Sequence, residues 1–298
     1  MENEIIEVKQ PELMQAINRA DIDAQVATAH AYPRDLQKVL NKIETLATMD
    51  RETAEDCFYV LRRKGSNGQD SVIEGLSVRM AEIIANAWGN LRIATHIVGN
   101  DGRMITAQAV CHDLESNVAV CKEVKRSITT KSGATFSQDM QVVTGNAASA
   151  IAFRNAVLTV IPKAVTKRIV NNVRNVALGQ AIDVETSRQN VMQYFAKLGV
   201  TQEQLFFYLE VGSVQDIDKQ KIFELRATAN AIKEGTTTVN ETFVKPMQEA
   251  KRQAEAAQKA TDAKGKAAAA MAKATGANPV EVDTETGEVK EQAETAKK

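Results

Sequence analysis

Asp113 and, ten residues on, the run Glu123-Val124-Lys125 are of types that can do chemistry at this spacing. Two carboxylates can hold a divalent metal, and a lysine sharing a strand face with Glu123 can assist attack on a phosphodiester. The pattern is only three residues long, and cross-strand charge pairing accounts for the same side chains. His112-Asp113 has the composition of a proton-transfer pair, yet no nucleophile stands at a motif-like distance from it. A GxxxxGK[ST] loop is absent, so the sequence offers no cradle for ATP. Cys57, Cys111 and Cys121 form no CxxC pair, and with only His30, His96 and His112 beside them they point away from structural zinc or a disulfide framework.

The stronger signal is electrostatic. Over residues 122–178, nine bases (Lys122, Lys125, Arg126, Lys131, Arg154, Lys163, Lys167, Arg168 and Arg174) face two acids, Glu123 and Asp139, in a chain whose formal net charge is −1. Such a local excess suits a polyanion, because each base that neutralises a phosphate releases a condensed counterion. Nothing in the segment suggests readout of base edges. Aromatic residues are scarce near it, apart from Phe136 and Phe153, which favours binding of the backbone over stacking of bases on side chains.

These bases require a scaffold. Residues 141–179 read as a long helical stretch in which Val165, Ile169, Val173 and Val176 recur at helical spacing opposite Lys163, Lys167, Asn171 and Arg174. Pro162 lies inside it and predicts a kink or two abutting helices near Ile161. Before it, Ile93, Thr95 and Ile97 switch the period to two. Asn100-Asp101-Gly102 and residues 114–117 supply turns, so residues 93–128 predict three antiparallel strands in a meander.

Residues 1–33 read as an N-terminal arm, loose to about residue 20 and followed by a short helix capped by Asp21 that carries Ile22 and Val26. Leu36, Val39, Leu40, Ile43 and Leu46 define a helix. Asp50 reads as the N-cap of another running through Phe58 and Leu61 to the basic end Arg62-Arg63-Lys64, with Leu76, Met80, Ile83, Ile84 and Ala87 in the next. Residues 34–179 are thus an expected α+β core. Residues 180–243 read as a separate helical module around Phe195, Phe206, Phe207, Tyr208 and Phe223. Residues 244–298, rich in Ala, Lys, Glu and Gln, read as a low-complexity tail, largely disordered. No apolar run reaches the 18 or so residues of a membrane span, which predicts an intracellular, cytoplasmic protein with no membrane partner.

EGLSVRMAEIIANAWGNLR (residues 74–92), VVTGNAASAIAFRNAVLTVIPKA (142–164) and KLGVTQEQLFFYLEVGSVQDI with LRATANAIKEGTTTVNETF (within 197–243) resemble a family of phage and prophage single-strand annealing recombinases. The wider similarity is to RecT, Redβ and the Rad-type annealing proteins. The resemblance implies a phage-type recombination protein in a bacterial cell, built on a three-stranded meander packed on a long helix. Its subunits would join in rings or filaments and lay single-stranded DNA along a basic groove. It implies annealing without ATP hydrolysis or an enzymatic cofactor, a divalent cation at most modulating DNA binding. A single-stranded-DNA-binding protein or a phage exonuclease would be the further partner. Arg154 and Lys163, before and after the Ile161-Pro162 break, match basic positions of that family; the other seven bases rest on charge alone. The runner-up reading is a metal-dependent D…ExK nuclease using Asp113, Glu123 and Lys125.

Overall fold

A computed structural model describes residues 10–64, 70–130, 132–179 and 184–275. The fold mixes helices with two small antiparallel sheets. Residues 10–244 and the helix beyond them fall into two units.

The described residues open on α1 (Gln10–Ala31), continuous where part of an arm and a short helix were expected, with Ile22, Val26 and Ala29 turned inward and Met14 and Ile17 exposed; residues 1–9 of the expected arm lie outside the described residues. Asp35 then starts α2 (Leu36–Ala47) by accepting the Gln37 and Lys38 N–H groups, and the helix buries Val39, Ile43 and Ala47. Asp50 caps α3 (Arg51–Asp56) as its sequence suggests, but the helix stops after six residues. The Cys57 carbonyl accepts the Ser77 N–H at 2.9 Å, and from Phe58 the chain pairs as a hairpin, β1 (Phe58–Lys64) with β2 (Asp70–Leu76), in the register Phe58↔Leu76 to Lys64↔Asp70. The expected helix through Phe58 and Leu61 is therefore a strand. Phe-Tyr-Val-Leu is a run of aromatic and branched residues suited to a pleated surface, and the helical spacing read through it was coincidental. Residues 65–69, which connect these strands, lie outside the described residues.

Ser77 caps α4 (Val78–Trp88), which ends on Gly89 at φ +67°, a conformation that favours glycine. β3 (Leu91–Asn100), β4 (Met104–Asp113) and β5 (Val118–Ser127) follow as a three-stranded antiparallel sheet in chain order. Alternation along β4 buries Ile105, Ala107, Ala109 and Cys111, and α5 (Gln138–Val160) lies on that face. Ala148, Ala152 and Ala156, four apart and fully buried, let the helix sit close to the sheet. At Ile161-Pro162 the path turns by 116° into α6 (Lys163–Leu178). Its buried residues are Thr166, Ile169, Val173 and Ala177, whereas Val165 is half-buried and Val176 is exposed, so the packing stripe is rotated by about one residue from the sequence pattern.

Residues 180–183, where a boundary was expected, lie outside the described residues. Beyond them come α7 (Val184–Lys197), α8 (Gln202–Leu209) and α9 (Lys219–Lys233). α9 is apolar on two sides. Ile222, Leu225 and Ala229 pack with Phe195, Tyr208 and Phe243, while Phe223 and Ala227 join the core built by α2, α4, α5, α6 and the sheets. Phe223 meets Phe58 edge to face with centroids 5.5 Å apart, so it serves the first core and not the module's own. Asn230, buried, donates to the Glu55 and Phe58 carbonyls at 3.0 and 3.1 Å and ties α9 to the α3–β1 corner. The second unit contains α10 (Lys245–Thr275), a helix of 31 residues where a largely disordered tail was expected; residues 276–298 of that tail lie outside the described residues. Among the described residues no single helix is long and apolar enough to cross a membrane.

Candidate nucleic-acid interface

α6 begins at Pro162 with no side chain capping it and no acid in its first turn, so its first N–H groups carry the positive end of the helix dipole uncompensated. Lys163 and Lys167, both exposed, stand one turn apart on this end, with Asn171 a turn further. They form one wall of a cleft of about 810 Å³. The floor is α5, with Arg154, Asn155 and Leu158. The opposite wall is the β1–β2 hairpin, contributing Phe58, Tyr59, Glu74, Gly75 and Leu76. A helix N-terminus flanked by two lysines and an arginine can hold anionic oxygens. Glu74, the acid in the lining, is engaged by Arg174 at 2.8 Å; burial raises its carboxyl pKa and the Arg174 charge opposes that rise.

Arg154 is buried, 5% exposed, although it lines the cleft. Its Nη1 reaches Glu234 Oε2 at 3.5 Å and its guanidinium lies 4.5 Å from the centroid of the Tyr59 ring. Glu234 in turn accepts the Val78 N–H at 2.7 Å, at the start of α4. Burial raises the Glu234 carboxyl, a rise that the Val78 N–H and Arg154 only partly offset.

The nine bases do not form one surface. Arg154, Lys163 and Lys167 meet in the cleft, and Arg174 sits at its edge, its guanidinium 5.5 Å from the Phe223 ring centroid. Arg168 is exposed on α6 but does not line the cleft. On β5, register places Lys122 and Arg126 opposite Ala109 and Ile105, on the face that α5 covers, while Lys125 opposes Thr106 on the other face. Strand alternation thus separates bases that are adjacent in sequence. Arg126 is half-buried, its Nη1 3.5 Å from the Thr236 carbonyl, and burial lowers its guanidinium pKa against the opposing charge of Glu241. Lys131 lies outside the described residues.

Asp113 is likewise separated from Glu123 and Lys125. It pairs with Val118 at one end of β5, five residues from Glu123, which is about 17 Å along a strand. It also faces the core side, and its carboxylate is already bound. Arg34 forks onto it with two 2.6 Å bonds, and Trp88 Nε1 donates at 3.1 Å. Burial alone would raise this carboxyl, but Arg34 and Trp88 outweigh it and hold it at about 2. His112 meets Asn117 at 3.0 Å. Among the described residues no group of three His, Cys, Asp or Glu side chains is arranged to hold a metal ion.

The hairpin is what sequence reasoning missed. It brings Phe58 and Tyr59 to a site expected to be poor in aromatic rings, whereas Phe136 and Phe153 pack against the core. The signal was present in the strand-forming run of residues 58–61 and the glycine- and asparagine-bearing turn after it. Comparison with known proteins finds no family model, curated protein or solved structure that matches this chain.

Proposed function

We propose that this protein binds single-stranded DNA and anneals complementary strands in phage-type homologous recombination, without ATP and as an oligomer. The observation that carries the reading is the cleft where Lys163, Lys167 and the free N-terminus of α6 converge over Arg154. Two lysines, a dipole and an arginine attract phosphates whatever the base sequence, as annealing of arbitrary complements requires. Pairing of the two strands then supplies the free energy, and the protein's task is to hold each strand extended. The three-stranded meander with α5 laid across it serves as the annealing core. The helical segment 184–243, whose acids include Glu203, Glu210, Asp216 and Asp218, presents a surface suited to a protein partner more than to DNA, while its Glu224 is buried against Arg62. The D…ExK alternative draws no support from a geometry that holds Asp113 away from Glu123 and Lys125.

The test is binding of labelled single strands of several sequences across a salt series. Affinity should fall linearly on a log-log plot with a slope of about −0.7 per phosphate contact. The double reversal Lys163→Glu and Lys167→Glu should weaken every sequence alike and flatten the slope by about 1.4, two contacts' worth. Unchanged binding in the folded double variant removes the cleft from the site.

A further inference from the structure

Arg154 has more hydrogen-bonding capacity than its fold partners use. A guanidinium carries five N–H donors, and the one hydrogen bond it makes among the described residues is the 3.5 Å contact from Nη1 to Glu234. Two buried side-chain atoms among the described residues make no hydrogen bond, Arg34 Nε, which is ion-paired with Glu115, and Thr236 Oγ1, and neither belongs to Arg154. Arg154 also lines the cleft, although it is only 5% exposed.

Its orientation is set from the hairpin. Tyr59 and Gly75 are directly paired across β1 and β2. A Cβ built on Gly75 would stand 2.6 Å from Cε1 and Cζ of Tyr59 and 2.7 Å from its hydroxyl, so the hydroxyl end of the ring covers a position that only glycine leaves empty. Arg154 stacks on the same ring at 4.5 Å. Gly75 and the Arg154 guanidinium thus both bear on one ring, and all three residues line the cleft.

We infer that Gly75 and Tyr59 are positioning residues that hold Arg154 flat, so that its free donor edge takes one phosphodiester of the bound strand through two parallel bonds. The inference rests on the single-stranded-DNA reading of the cleft. It assigns the ring a role other than base stacking, since Gly75 and Arg154 occupy its surroundings. A planar fork matches two phosphate oxygens only when its plane is fixed, whereas the exposed Lys163 and Lys167 bind as point charges and need no such support.

Four variants of the full chain decide it, each checked for fold by circular dichroism and thermal unfolding. Gly75→Ala displaces the far end of the Tyr59 side chain without touching backbone. Tyr59→Leu removes the ring, Tyr59→Phe keeps it, and the Lys163→Glu, Lys167→Glu pair reports on the cleft itself. The probe is a labelled oligothymidine, titrated across salt. Gly75→Ala and Tyr59→Leu should each weaken binding about tenfold, the value of one charge-assisted hydrogen-bonded contact. Each should also flatten the salt slope by about 0.7, and Tyr59→Phe should bind as the unmodified chain does. A merely structural role for the ring would lower the unfolding temperature and leave the salt slope unchanged. If Gly75→Ala and Tyr59→Leu bind like the parent while the lysine pair has lost binding, the positioning role is overturned and the cleft reading stands. If the lysine pair also binds like the parent, both are overturned.

Discussion

At the scale of single residues, charge type alone says little about role; what a charged group touches decides it. Asp113, read as a metal ligand, is the buried counter-ion of Arg34, whose guanidinium also lies 4.6 Å from the Trp88 ring centroid and 3.1 Å from Glu115. Replacing Asp113 by Asn leaves Arg34 buried with only Glu115 as counter-charge, and should cost about 3 kcal/mol in urea unfolding at neutral pH. The pH dependence follows from the depressed carboxyl. A group held at about 2 in the fold and titrating near 3.9 when unfolded stabilises the fold above the latter value. That contribution, on the order of 2 kcal/mol, is lost as pH falls from about 5 through 2. The stability gap between the parent and Asp113→Asn at pH 7 should therefore shrink to about half at pH 3; an Asn variant as stable as the parent at pH 7 contradicts the role.

At the scale of elements, α9 is the piece whose position matters most. It buries Phe223 and Ala227 in one core and Ile222, Leu225 and Ala229 in another. Glu224 also takes Arg62 of β1 at 2.7 Å, and Arg226 pairs with Glu55 of α3. A chain ending at Gly179 removes Phe223 and Glu224 from the hairpin that walls the cleft, and Arg226 from α3. It should unfold at lower urea and bind single strands poorly, because the Phe58 face and the Glu55 and Arg62 charges are left uncovered. A chain ending at Val244 keeps both cores and should unfold like the full protein. Equal stability and DNA affinity for the shorter chain would show that α9 is dispensable to the cleft, as the expected boundary near residue 180 implies.

At the scale of the molecule, the three-stranded sheet has two edges, β3 and β5, and exposed apolar residues lie along them, Ile97 and Val98 on one and Val118 on the other. Unpaired edges invite pairing or cover, and a second copy supplies either. A single cleft with three bases offers few phosphate contacts, whereas adjacent copies on one strand multiply them through effective concentration. Annealing should depend steeply on protein concentration and coincide with large assemblies in sedimentation on long single strands. Full-rate annealing by a chain that stays monomeric at micromolar concentration would sink the proposal.

What the sequence determined by itself was local. Period two over residues 93–128 and period 3.6 over residues 141–178 specified strands and helices, and the missing N–H of Pro162 specified the break between α5 and α6. Lys163 and Lys167 share a cleft wall because helical spacing puts them there. Tertiary structure decided the rest. Asp50 caps a helix in either reading, and only the pairing of Phe58 with Leu76, eighteen residues away, made the following segment a strand. Lys125 parted from Lys122 and Arg126 because a sheet buries one face, and which face that is depends on where α5 lies. Arg154, indistinguishable from the other bases as a letter, became a buried anchor because Tyr59 and Glu234, 95 and 80 residues distant, converge on it. Spacing along the chain encodes direction within an element; which elements meet depends on burial summed over all of them.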